Sequence, residues 1–65
     1  MGAKMERYEY VVPGTGVIVD ATGEWTTEAP ESSYNQKVLV LHTTSGERVA
    51  MSRFEAESVY RVRKV

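Results

Sequence analysis

Cysteine is absent from this chain, which removes disulfide staples, thiol nucleophiles and thiolate metal sites at once. Histidine is nearly absent: His42 stands alone at the end of an apolar run. A lone histidine among scattered carboxylates makes no zinc ligand set, and we expect it to be an interior or rim residue bonded to neighbouring backbone. No glycine-rich loop leads into Lys and Ser or Thr, so there is no phosphate cradle. Charge of neither sign predominates: eight basic and nine acidic residues leave a net charge of −1, which creates no global field to gather nucleic acid. Long hydrophobic runs are missing too, since the longest is Val38–Leu41 with His42 at its end. No apolar N-terminal segment reads as a signal peptide, and Glu6 stands where a myristoylation motif requires Ser or Thr. These absences lead us to expect a cytoplasmic protein that is not an enzyme and has no metal, cofactor or membrane partner.

What is present is a single short domain of 65 residues. A chain of this size buries only about 60% of its unfolded surface. With no covalent staple, its core carries the fold alone or with the help of a partner or a second copy. The second methionine, Met5, makes Met1–Lys4 an expected extension of the domain 1–65.

Pattern along the chain predicts strands almost throughout. In Met5–Val12, Tyr8, Tyr10 and Val12 share one face and Arg7, Glu9 and Val11 the other, the period of a strand. Pro13-Gly14 turns the chain, and Val17–Val19 reads as a short strand closed by Asp20. From Ala21 to Gln36 the pattern lapses into turn formers, acids and two aromatics. We read this as one long polar loop, with a short hairpin extension near Gly23 as the other option. Lys37–Thr43 is a continuous apolar strand, Thr44-Ser-Gly46 a tight turn, and Glu47–Met51 a half-buried strand. Ser52 and Glu55 have capping-box spacing and predict one short 3₁₀ turn before a closing strand, Val59–Arg63. The sum is an all-β, five-stranded SH3-like barrel, partly open, with one short helical turn before the last strand.

The succession Gly14-Thr-Gly-Val-Ile-Val-Asp20, Val38-Leu-Val-Leu41, Gly46-Glu-Arg-Val-Ala50 and Phe54…Val59-Tyr60 resembles SH3-like barrels of the KOW and Tudor type. The resemblance covers roughly Tyr8 to Val62 and lies in strand and turn types rather than in functional residues. Photosystem accessory subunits and the variable subunit of ferredoxin–thioredoxin reductase share the architecture. It implies a binding module, an accessory subunit or regulator of a larger complex, including those of phages and mobile elements.

Two surfaces then compete. The long loop and its approach carry Asp20, Glu24, Glu28 and Glu31 with no Lys or Arg before Lys37, and they hold the aromatics Trp25 and Tyr34. A solvated acidic loop with its aromatics folded over the core is the plain account. The functional one is a docking face for a protein with a basic surface, anchored by Trp25. The alternative is a nucleic-acid face at the C-terminal strand, built from Arg48, Arg53, Arg61, Arg63 and Lys64. Three to five phosphate contacts there give weak, salt-sensitive binding, and a charged edge strand is its plain counterpart. Tyr10 and Tyr60 read as packed, and Phe54 as the plug of the barrel end. Val38, Val40, Val49, Met51 and Val62 complete the expected core.

Overall fold

The computed structural model describes residues 4–65, so most of the expected extension at 1–4 lies outside the described residues. Alternation sets the first strand, β1 (Glu6–Val11): Tyr8 and Tyr10 turn inward and are buried, while Arg7, Glu9 and Val11 occupy the outer face. The second strand, β2 (Ile18–Thr26), is much longer than expected. It pairs with β1 from Val11↔Ile18 to Glu6↔Gly23 and with β3 (Val38–Thr43) from Ala21↔Thr43 to Thr26↔Val38. Asp20 therefore does not close the strand, and the loop shrinks to residues 27–37.

The inward positions of β2 explain why its pattern was weak. They are Val19, opposite Tyr10, then Ala21, opposite Tyr8, then Gly23 and Trp25, so two small residues interrupt the apolar series. At Gly23 a Cβ would collide with the carbonyl oxygen of Val40, so only glycine permits the approach of β2 to β3. Hydrophobic alternation vanishes where packing requires small side chains.

Thr44-Ser-Gly46 turns into β4 (Arg48–Met51) as expected, with Gly46 at φ 93°. The capping box also forms: the Ser52 amide donates to a Glu55 carboxylate oxygen (2.9 Å), and the Glu55 amide donates to the Ser52 hydroxyl (3.2 Å). The turn it starts is wider than the expected 3₁₀ form. It is a π-helical turn over Glu55–Val59, with the Tyr60 amide donating to the Glu55 carbonyl (2.8 Å). Backbone at 60–62 is thus committed to leaving the turn, since the Val62 amide donates to the Ala56 carbonyl (2.8 Å). The last strand, β5, is only Arg63–Lys64 instead of Val59–Arg63.

All pairings are antiparallel in the order β4-β3-β2-β1-β5, so the chain is all-β with one short helical piece before its last strand. β4 and β5 lie at opposite edges and share no ladder, so the sheet is not closed. The helical turn connects those edges and sends Ala56 into the central cluster of Tyr8, Tyr10, Ala21, Leu39, Leu41 and Met51. Tyr60 meets Tyr10 edge-to-face at 5.9 Å between centroids. Val49 and Val62 flank this cluster, half-buried. Phe54 does not plug it. The capping box fixes the register so that Ala56 points inward, and Phe54, at the start of the turn, is 70% exposed. Among the described residues no helix is long and apolar enough to cross a membrane.

Packing makes a sharp contrast testable. Phe54→Ala should change unfolding free energy by no more than about 0.5 kcal/mol, as exposed substitutions do. Leu41→Ala should cost about 2–5 kcal/mol, enough to unfold much of so small a domain. Chemical denaturation of the two variants checks this; a large loss at Phe54 would return it to the core.

Candidate functional site

β3 dictates the geometry of the candidate site. Val38, Leu39, Val40 and Leu41 are all buried, although alternate residues of a strand face opposite ways. Leu39 and Leu41 face the central cluster; Val38 and Val40 face outward beside Thr26, Glu24 and Ala50. The loop 27–37 covers that outer pair. Ala29 borders Val40 on one side, and Ser33 and Gln36 border Val38 on the other.

Local hydrogen bonds shape this cover. The Glu28 amide donates to the Thr26 hydroxyl (3.0 Å), the Ser32 amide to the Ala29 carbonyl (3.0 Å), and the Ser32 hydroxyl to the Gln36 carbonyl (2.6 Å). Ser33–Gln36 forms a tight turn closed by the Gln36 amide on the Ser33 carbonyl (2.9 Å). Its central residues, Tyr34 and Asn35, have φ of 53° and 60°, the signs of a type I′ turn. Asparagine accepts that conformation readily; tyrosine does so at a cost of about 1–2 kcal/mol. The Tyr34 side chain recovers nothing by packing, for it is 95% exposed.

A bidentate ion pair fastens the cover to β4. Arg48 donates to both carboxylate oxygens of Glu31, at 2.8 and 3.0 Å. The guanidinium hydrogen bonds hold the Glu31 carboxyl down at about 2, and the same contact raises Arg48. One member of the expected acidic face and one of the expected basic face thus neutralise each other.

The remaining acids separate. Glu24, on the outer face of β2 and half-buried, and exposed Glu28 border one depression with Ala29, Val40 and His42. Asp20 lies further along β2, directly across from Glu9. Trp25 is not displayed on a loop: it sits in β2 on the inner face, half-buried against the central cluster, with the Arg53 guanidinium 6.0 Å from its ring centroid. Of the two expected aromatic anchors, Tyr34 is fully displayed, while Trp25 is half-buried and borders a surface depression with Lys37, Arg53 and Glu57.

The expected basic face also disperses. Arg48 is bound to Glu31 and Arg53 lies over Trp25. The Lys64 ammonium is 3.1 Å from Glu6, whose carboxyl it holds below the ordinary value. Arg61 and Arg63 do share a groove with Glu9, Val11 and Ile18 on the outer face of β1 and β2. His42 is exposed, between Thr22 and Arg48 in the ladder near the end of β3, so of the two expected positions it takes the rim and not the interior. Sequence reasoning missed the Val11–Ile18 floor of the groove and the left-handed backbone of Tyr34, Asn35 and Arg61. No residue type at Tyr34 or Arg61 announces positive φ. The chain was compared with family models, curated proteins and solved structures, and none of them matches it.

The Glu31–Arg48 clip has a definite pH signature. A carboxylate held below its ordinary 4.5 favours the clipped loop fully above pH 4.5 and loses that effect as pH falls through about 2. Carbon-detected titration should place the Glu31 midpoint near 2, and Arg48→Ala should return it to the ordinary carboxylate range. A wild-type midpoint near 4.5 would show that the clip does not hold.

Proposed function

We propose that this chain is a small non-catalytic protein-binding module of the SH3-like, KOW/Tudor type, an accessory subunit or regulator that docks through its β2–β3 loop. The strand order, with a short helical turn joining β4 to β5, supports the SH3-like reading. The observation that carries the function is Tyr34. A ring 95% exposed, on left-handed backbone, in a loop fastened by Glu31 and Arg48, has no role in the fold that a smaller residue would not fill better. Residues held in costly backbone conformations concentrate at sites of function, and tyrosine is a favoured interface anchor.

Tyr34 replaces Trp25 as the anchor, because Trp25 is engaged with the core and with Arg53. Glu24 and Glu28 supply the acidic rim for basic side chains of the partner. The nucleic-acid alternative stands second: of the expected basic residues, among those described, only Arg61 and Arg63 share a groove, and two phosphate contacts bind weakly.

Replacing Tyr34 separates anchor from scaffold. Tyr34→Asn should keep or raise stability, by up to about 1 kcal/mol, because asparagine tolerates positive φ. A photoreactive amino acid at position 28 in cells of the native host should form protein adducts that disappear in Tyr34→Asn. Adducts unchanged by Tyr34→Asn, or adducts to nucleic acid, would overturn this function.

A further inference from the structure

A second surface lies at the other end of β2. Ile18 begins that strand and Thr26 ends it, roughly 25 Å apart along an extended backbone. Beside Ile18, a groove of about 180 Å³ is lined by Glu9, Tyr10, Val11, Ile18, Arg61 and Arg63. Val11 and Ile18 are directly opposed in the ladder and make its apolar floor, yet Ile18 remains 63% exposed. Its volume is below the ~300–1,000 Å³ of small-molecule sites, so it suits one side chain of a larger partner.

Arg61 makes the groove more than a chance apolar patch. Its φ is 48°, a left-handed conformation unfavourable for any side chain except glycine's lone hydrogen and the short amides. Both neighbours pin it there: the Tyr60 carbonyl accepts the Val11 amide (2.8 Å), and the Val62 amide donates to the Ala56 carbonyl (2.8 Å). Glycine would satisfy this backbone without strain, but the chain has an arginine whose side chain borders the groove. Among the described residues neither Arg61 nor Arg63 forms an ion pair. Glu9 faces Arg63 across the ladder with Asp20 beyond it, so the acids of this face lie along that row, and Arg61 is the cation with no acid opposite it beside the aliphatic floor.

We infer that this groove receives a partner segment carrying an aliphatic side chain next to a carboxylate. The aliphatic group covers Val11 and Ile18, and the carboxylate meets the arginine fork, which donates to both of its oxygens. The site is independent of the Tyr34 loop in position and opposite in charge preference. One module would therefore hold two different segments, joining them through the rigid length of β2.

Selection from a displayed random-peptide library against the whole chain tests this. Enriched peptides should pair Leu, Ile or Val with Asp or Glu and shift the amide resonances of Val11, Ile18 and Arg61–Arg63. Ile18→Asp should weaken them by about tenfold or more, the scale of an interface hot spot. Arg61→Gly should weaken them likewise while preserving or raising the melting temperature, which separates lost binding from lost folding. Failure to enrich any such peptide, or binding indifferent to both substitutions, would overturn the inference. So would equal binding of oligothymidylate at the same resonances, which would make the groove a phosphate site. None of these results depends on Tyr34.

Discussion

Four consecutive buried side chains, Val38–Leu41, govern this molecule. A strand buried on both faces needs two covers, and sheets usually obtain the second from another layer of structure. Here the inner cover comes from Tyr8, Tyr10, Met51 and Ala56, and no second layer is left in so short a chain. The β2–β3 loop serves instead, and Glu31 on Arg48 fastens it. Lifting that loop would expose Val38 and Val40, each worth about 1.5–3 kcal/mol as a fully buried side chain. The loop is in the first place a roof over Val38 and Val40.

That arrangement also redistributes charge. Acidic and basic residues that look segregated along the chain meet in space: Glu31 with Arg48, Glu6 with Lys64. Arg53 turns onto Trp25. The surface is left without a broad field of either sign. The two exposed side chains with the clearest cost to the fold are Tyr34 and Arg61, each on left-handed backbone and at opposite ends of β2.

Much of the fold was legible because its signals are local. Alternation of Tyr8, Tyr10 and Val12, the apolar run of β3, the Gly46 turn and the Ser52–Glu55 capping box each state their geometry within a few residues. The second half of β2 was not legible, since Ala21 and Gly23 are inward residues chosen for smallness against β1 and β3. Phe54 misled for a related reason: size argued for the core, but the register of the cap put Ala56 there. Of the candidate site, the identity of Tyr34 and the pairing of Arg61 with Arg63 could be read from the chain. Trp25 could not be placed without knowing that β2 extends to Thr26, and the Glu31–Arg48 contact joins residues 17 positions apart that no spacing rule connects.

The central claim is that residues 27–37 form a fixed cover that presents Tyr34, and backbone amide relaxation measures this directly. Order parameters across the loop should sit near those of the strands, at about 0.85, with Tyr34 and Asn35 included. A marked fall in order when Arg48→Ala releases Glu31 should accompany this. Values below about 0.6 across residues 27–37 in the unaltered chain would contradict the account, for a freely moving loop could neither cover Val38 and Val40 nor hold Tyr34 in place.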